Sequence, residues 1–241
     1  MKTFLNDNNM NTKRPRKILG SLPSRDLIDE DLERYRQIAL ESKGITDVVI
    51  IRQENMIIDI RVPMKCSIPK CQSYGTSIHC PPLINLRPEE MKQVIKLFNY
   101  GILVKSEVPS DIVAGEALTK AILTHQIDPE KKVIQTGKAV INILYAVSNV
   151  ESVAFYDGYY LSMGFGAGSC KQTLCYKFPN CQALEGKGCR HPNIARPSME
   201  AVGFDAYQMA ARVGWEIYPV GGNCIPESIP HGVMMGLVLV A

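Results

Sequence analysis

Eight cysteines, seven of them gathered in two short runs, set the strongest constraint on how this 241-residue chain can fold. The runs are Cys66-x4-Cys71-x8-Cys80 and Cys170-x4-Cys175-x5-Cys181-x7-Cys189, and the eighth cysteine is Cys224. Thiolates that share a metal must converge on one small volume, which short spacers allow. The second run holds four cysteines within 20 residues, so it can form a four-thiolate site without further ligands.

The surroundings of these cysteines bear on their chemistry. The first 22 residues are polar and basic and lack the apolar segment of a signal peptide. No stretch approaches about 18 consecutive apolar residues, so no membrane span is expected. The protein is therefore expected in the cytoplasm, where disulfides are rare. Eight cysteines in that compartment favour metal or cluster ligation over a disulfide framework.

The width of the spacing bears on the kind of metal. Structural zinc sites use tight cysteine pairs, and neither run contains a Cys-x2-Cys. Iron–sulfur loops accept wider spacing and often carry a proline after a ligating cysteine, as Pro81 follows Cys80. The pattern therefore favours [4Fe-4S] clusters, two in all. Zinc and unligated structural cysteines are the alternatives.

The first run has one thiolate fewer than a four-iron cluster takes. Cys224 is the predicted fourth ligand, and its other interpretation is a small buried hydrophobic residue. His79 is an alternative donor. In a third alternative one iron stays open to a substrate or water, which would make this site catalytic.

The net charge of +3 is unevenly distributed along the chain. Residues 1–17 contain five basic residues and one acidic residue, a net of +4, which leaves about −1 for the remainder. Residues 1–22 are interpreted as a flexible basic tail, and residues 23–241 as a single cysteine-rich metal or iron–sulfur domain. The excess positive charge lies in a tail and does not form a basic surface on the folded domain, so nucleic-acid binding is not expected.

Hydrophobic periodicity predicts helices and strands in an irregular order. Helices are expected over residues 24–42, 88–98, 128–153 and 199–213, and strands over residues 47–52, 56–62, 101–108, 216–220 and 233–240. The first two strands are predicted to form a hairpin. Because the elements do not alternate strictly, the predicted class is α+β, or α/β, with one mixed sheet, flanking helices and two cysteine-rich cluster-binding loops.

Two longer motifs surround the cysteines. They are Cys71-x2-Tyr74-Gly75-x4-Cys80-Pro81-Pro82 and Cys189-Arg190-His191-Pro192-x3-Arg196-Pro197-Ser198-Met199-Glu200-Ala201-Val202-Gly203-Phe204-Asp205. With them the chain, from about residue 45 onward, resembles the prokaryotic family of predicted metal-binding proteins called domain of unknown function 2284. The resemblance implies a metal or iron–sulfur protein of anaerobic bacteria and archaea, and it implies no particular reaction.

The second motif also has a physical interpretation. Arg190 and Arg196 are predicted to lie close to the cofactor, where their charge would partly offset that of a thiolate-ligated cluster. They could also bind an anionic substrate or partner. Ser198 is predicted to cap the following helix, whereas Asp205 is expected to fall too far along that helix for capping.

Three hypotheses of function follow. The leading one is a cytosolic iron–sulfur protein that serves an anaerobic redox system as an electron-transfer or accessory subunit, together with a redox partner. The second is an iron–sulfur enzyme with an open iron at Cys66, Cys71 and Cys80. The third is a zinc-stabilised interaction module without redox chemistry.

Overall fold

The computed structural model describes residues 28–114, 132–220 and 224–241, so the predicted tail at residues 1–22 lies outside it. The helices in these ranges are α1 (Ile28–Leu40), α2 (Arg61–Met64), α3 (Pro88–Val94), α4 (Lys132–Tyr156) and α5 (Ala206–Arg212). The strands are β1 (Asp47–Arg52), β2 (Tyr100–Pro109), β3 (Met163–Phe165) and β4 (His231–Val240).

The sheet is organised by the pairing of β2 with β4. The ten residues of β2, from Tyr100 to Pro109, pair with β4 from Val240 back to His231. β1 pairs with the other edge of β2, and β3 pairs with the other edge of β4. The order is β1-β2-β4-β3, and every neighbouring pair is antiparallel. The predicted α+β class is confirmed, with an antiparallel sheet rather than a mixed one.

Both faces of the two central strands are buried. Ile102 of β2 and Val238 of β4 belong to a core formed with α1 and α4. Their neighbours Leu103 and Leu237 belong to a second core formed with α3, α5 and the segment after the second cysteine run. Alternate residues of a strand point to opposite faces, so covering both faces accounts for the nearly continuous apolar sequences of β2 and β4.

Helix α4 packs across the sheet at β4. Within the described ranges, Gln135–Tyr156 is the one helical segment long and apolar enough to cross a membrane by length and composition, with a mean hydropathy of 1.3. However, 56% of its apolar window is buried inside the protein. Gly236 of β4 lets Ile143 and Val147 approach the strand closely. The helix therefore has the position of a core helix.

Residues 56–62 do not form the predicted second strand of a hairpin. Ile58 makes a single bridge to Phe204, and the Asp59 carboxylate accepts a hydrogen bond from the backbone N–H of Arg61. This side-chain turn directs the chain into α2. β1 pairs with β2 instead of with the segment that follows it.

The predicted strand at residues 216–220 is also wrong, because no ladder forms there. Pro219 has no N–H to donate to a neighbouring strand. The hydroxyl of Tyr218 donates to the carboxylate of Glu216, so these side chains bond within the segment.

The helix predicted over residues 199–213 is divided in two. A 3-10 turn at Glu200–Val202 ends at Gly203, whose φ of 100° lies in the left-handed region. The carboxylate of Asp205 then accepts from the backbone N–H of Gln208 and caps α5, so the expectation that Asp205 lies too far along for capping was wrong. The hydroxyl of Ser198 accepts from the backbone N–H of Ala201, as a cap does.

Substitution of Gly236 tests the packing of α4 on the sheet. A Cβ at this position would lie 2.7 Å from Cγ2 of Val147 and 2.8 Å from Cγ2 of Ile143. We expect Gly236→Ala to lower the free energy of unfolding by about 1–3 kcal/mol, the usual cost of overpacking. Denaturant-induced unfolding measures this loss.

Gly137→Ala is the matched control in α4. Among the described residues, a Cβ there meets only Cγ2 of Thr173, at 3.9 Å. Replacing a helical glycine by alanine should leave stability unchanged or raise it by about 0.5–1 kcal/mol. Equal losses in the two variants would contradict the described packing.

Candidate metal centre

The two Cys-x4-Cys segments share one backbone hydrogen bond. The N–H of Cys71 donates to the carbonyl oxygen of Cys66 at 2.8 Å, and the N–H of Cys175 donates to that of Cys170 at 3.1 Å. Each hydrogen bond closes its segment into one turn, which brings the paired cysteines onto the same short piece of backbone. The equal spacing of the two segments thus corresponds to one shared hydrogen bond, although only the first segment also contains a bridge, between Ser67 and Lys70.

Two of the sulfurs accept hydrogen bonds from the backbone. The N–H of Ser73 donates to Sγ of Cys71, and the N–H of His191 donates to Sγ of Cys189, both at 3.4 Å. A hydrogen bond to a sulfur favours its negatively charged form. In each case the donor lies two residues after the cysteine, so the loop itself supplies the group that would stabilise a ligating thiolate.

The cysteines of the first run lie close enough to interact electrostatically. Burial, followed by the charges of Cys71 and Cys80, raises the pKa of the Cys66 thiol to about 11. Cys80 is buried, whereas Cys71 is exposed to solvent. Cys66 is half-buried, so the three cysteines of the first loop range from the interior to the surface.

The cysteines of the second run form a deeper group. Burial raises the pKa of the Cys170 thiol to about 12; the hydrogen bond with Ser77 opposes this increase, and the charges of Cys80, Cys189 and Cys181 add to it. Burial also raises the pKa of Cys175. Cys170 and Cys175 are thus both close enough to Cys181 and Cys189 to feel their charges, and Cys80 of the first run is close enough to affect Cys170.

A narrow cavity lies among the four sulfur-bearing side chains of the second run. Its lining includes the following thiols, imidazoles and cations: Cys170, Cys175, Cys181, Cys189, His79, His191, Lys171 and Arg190. The open space is about 10 Å³, close to one water-sized sphere. Within the part of the chain that the structure describes, Nε2 of His191 is buried and has no hydrogen-bond partner. The cavity therefore combines four sulfur donors with an unpaired nitrogen.

The two cysteine loops touch each other beside this cavity. Sγ of Cys80 lies 3.7 Å from Oγ of Ser169. Sγ of Cys170 lies 3.6 Å from Nδ1 of His79 and 3.9 Å from Oγ of Ser77. Burial, together with the charge of Arg196, lowers the pKa of His79, so its ring is favoured in the neutral form that binds metals.

The second loop is closed at its base, beside the end of β3. The N–H of Gly166 donates to the carbonyl oxygen of Pro197 at 2.8 Å, and the N–H of Met199 donates to that of Gly166 at 3.0 Å. These bonds join residues on either side of the cysteine run. The second loop therefore begins and ends beside the end of β3.

Two cations hold the outer part of the second loop. Nζ of Lys171 donates to the carbonyl oxygens of Cys175 and Phe178, at 3.4 and 2.8 Å. Arg190 donates to the carbonyl oxygen of Asn180 at 2.8 Å, and its guanidinium carbon lies 4.3 Å from the centre of the Phe178 ring. Arg190 also opposes the effect of burial on the pKa of Cys175. The predicted cofactor-side cation at Arg190 therefore lies beside a predicted ligand.

Arg196 has a different environment. Its Nε lies 2.6 Å from Oε2 of Glu151 in α4, and its NH1 donates to the carbonyl oxygens of Pro192 and Ala195. This pair fastens the end of the second loop to the core helix. Contact of Arg196 with a cofactor stays a prediction.

Cys224 lies in the turn that precedes β4. Its sulfur is 3.7 Å from the carbonyl oxygen of Ile225 and 3.7 Å from Oγ of Ser228. The turn packs beside residues 110–112, which follow β2. Cys66, by contrast, interacts with Cys71, Cys80 and Glu200. The role of Cys224 as fourth ligand of the first site stays a prediction.

The donor set fits a soft or borderline metal, because thiolates and imidazoles are the ligands of zinc and iron–sulfur clusters. Across residues 28–114, 132–220 and 224–241, no three His, Cys, Asp or Glu side chains are already arranged to hold a metal ion.

Three residues of this site were not predicted from the sequence. Ser77 and Ser169 lie where the two loops touch, and Lys171 binds the carbonyl oxygens of the second loop. Ser169 and Lys171 flank Cys170 directly, and this proximity is the sequence signal that would have identified them.

Together the fold and the site define the class of the molecule as a cysteine-rich α+β protein whose thiols gather beside a cavity. The chain belongs to the DUF2284 family of predicted metal-binding proteins, whose family model matches residues 49–240. The resemblance indicated by the two cysteine motifs is thereby confirmed. Comparison with curated proteins finds no match, and neither does comparison with solved structures.

The raised pKa values predict that metal uptake depends on pH. With pKa values of about 11 and about 12, the thiols of Cys66 and Cys170 hold their protons at neutral pH in the metal-free protein. A metal displaces these protons, so a higher pH favours binding at any pH below those values. We expect the affinity for Co²⁺ to rise at least about tenfold per unit between about pH 6.5 and 8.5.

Absorbance of the thiolate-to-cobalt transition, followed under argon, measures this affinity. Cys170→Ser removes one of the displaced protons and should reduce the pH dependence. An affinity that does not change with pH in the unsubstituted protein would contradict the prediction.

Proposed function

We propose that this protein is an iron–sulfur protein that holds a [4Fe-4S] cluster on each cysteine loop and transfers electrons to a redox partner. The observation that carries the proposal is the contact between the two loops at Cys80, Ser169 and Cys170. Electron transfer slows steeply with distance, so two redox groups on touching loops form an effective path. A reducing, anaerobic cytoplasm is the setting we propose for it.

The second loop would hold its cluster through Cys170, Cys175, Cys181 and Cys189, which line one cavity. The first loop would use Cys66, Cys71 and Cys80, with Cys224 as the proposed fourth ligand. When bound, such a cluster supplies reversible one-electron chemistry.

The chain's own residues have supporting tasks in this proposal. Backbone N–H groups of Ser73 and His191 donate to ligand sulfurs, which favours their charged form. Arg190 offsets negative charge at Cys175. Lys171 holds the loop carbonyls in place. Burial of Cys80 and Cys170 excludes water from the contact between the loops.

The exposure of Cys71 favours a second candidate function, an enzyme. If the first loop binds its cluster with three thiolates, the open iron would be accessible from solvent beside Cys71. An accessible metal position is what a substrate needs in order to bind. This candidate differs from the electron carrier in accepting an external ligand at iron.

The small size of the cavity favours a zinc-stabilised module as a third candidate. A space of about 10 Å³ admits a single ion more readily than a four-iron cluster, for which the side chains must move apart. Zinc would stabilise the loops without redox activity. Metal analysis separates this candidate from the other two.

Anaerobic isolation followed by iron and sulfide analysis tests the proposal. We expect about eight irons and about eight sulfides per chain, together with a broad visible absorbance. Stoichiometric zinc with negligible iron would instead establish the zinc module. Binding of a small external ligand that perturbs the spectrum of one cluster would favour the enzyme.

Paired serine variants test whether the two sites are independent. Cys175→Ser should remove the cluster of the second loop and about half of the iron, because that loop loses one of its four thiolates. Cys71→Ser should remove the other half. Electron paramagnetic resonance of the reduced variants distinguishes the clusters. Complete loss of iron in either variant, with the fold retained by circular dichroism, would contradict two independent sites.

A further inference from the structure

The two cysteine loops carry a large excess of positive charge. Residues 61–88 contain four basic residues and no acidic residue, and residues 166–199 contain five basic residues and one acidic residue. Their combined net charge is +8, whereas the whole chain has +3, so the remainder carries −5. The basic tail is therefore only one part of the positive charge, and the loops hold the larger part.

Metal binding does not remove this excess. The two loops contain seven cysteines, so complete ionisation of their thiols cancels at most seven of the eight positive charges. The metal ions themselves add positive charge. The loops therefore stay cationic when loaded, whichever metal they hold.

Some of these cations are occupied within the protein. Arg61 pairs with Asp59, Lys187 with Glu185 and Arg196 with Glu151. Lys65, Lys70 and Lys177 are exposed on the loops. Nζ of Lys70 lies 5.7 Å from the centre of the Tyr74 ring, and that of Lys177 lies 5.6 Å from the centre of the Tyr176 ring. The positive charges of these three lysines are exposed to solvent, and the lysines lie beside the predicted ligands in the chain.

Exposed apolar side chains stand next to the same lysines in the chain. The exposed fractions are 51% for Met64, 66% for Ile68, 65% for Tyr176 and 42% for Phe178. Large apolar side chains bordered by charged residues are typical of protein interfaces. Met64 and Ile68 are aliphatic and offer little to a phosphate backbone, which favours a protein partner over a nucleic acid.

We propose that this cationic loop surface, formed by Met64, Lys65, Ile68, Lys70, Tyr176, Lys177 and Phe178, docks an acidic protein. Its lysines steer an acidic face toward the cysteine loops, and its apolar side chains are buried on contact. The identity of the partner as an electron carrier rests on the proposed function. The docking surface itself follows from charge and exposure.

Binding of an acidic electron carrier tests the surface. The full-length protein is titrated with a small acidic plant-type [2Fe-2S] ferredoxin as probe, and binding is followed by calorimetry at low and high salt. We expect the Kd to rise at least about tenfold between 50 and 500 mM salt, because salt screens charge attraction. The variant K65E/K70E/K177E should weaken binding at low salt by at least about tenfold.

The variant K43E/K92E/K96E is the matched control, since it reverses three exposed lysines outside both loops. It should change the Kd less than about twofold. Tyr176→Ala combined with Phe178→Ala should weaken binding with little change in its salt dependence. Equal effects of the two charge reversals, or no effect of either, would overturn the proposal. So would tighter, loop-dependent binding of a single-stranded RNA 20-mer.

Iron and sulfide content of the same samples separates this proposal from the proposed function. Lysine-dependent binding by a protein without iron would support the docking surface and reject the redox role. An iron-loaded protein whose binding ignores the loop lysines would reject the docking surface alone.

Discussion

The antiparallel pairing of β2 with β4 is the constraint on which the positions of both cysteine loops depend. The first loop reaches β2 through α3, and the second loop leaves from β3, which pairs with β4. A shift of one residue in this register would exchange the side chains of the two cores, since alternate residues face opposite sides. Leu103 and Ile102 are both fully buried, so neither face tolerates such an exchange. Because both faces are buried, the register of β2 and β4 is fixed, and this register fixes the positions of the two loops relative to each other.

Much of this fold could be predicted, since β2 and β4 are long apolar runs and both are buried on two faces. The segment at residues 56–62 resembles a strand for a different reason. Its alternating apolar residues include Met56, which is buried in a core without joining the sheet. A sequence shows which side chains avoid water, but a strand also needs a partner with free backbone groups. That partner belongs to another part of the chain, and residues 56–62 themselves carry no sign of it.

The candidate site, like the fold, could be predicted from the sequence only in part. Local spacing predicts that the four cysteines of the second run share a metal, and all four line one cavity; their ligation of a metal stays a prediction. Spacing within a run contains no information about contact between runs, so the proximity of Cys80 to Ser169 had to come from the structure. Arg190 and Arg196 illustrate this limit of the sequence, because they are the same residue type in the same motif and yet have different contacts. Arg190 braces the loop that contains Cys175, whereas Arg196 is bound by Glu151, a residue of a distant helix.

The hydrogen bonds between Gly166 and residues 197 and 199 make the second loop independent of the sheet in one respect. The chain returns to the point where it left β3, so the number of residues in the loop does not affect the pairing of the strands. The entropy of closing a loop grows only slowly with its length. Residues can therefore be gained or lost between the cysteines at small cost to the remainder of the molecule. Evolution can reshape the cysteine-bearing segment of such a protein while its scaffold stays the same.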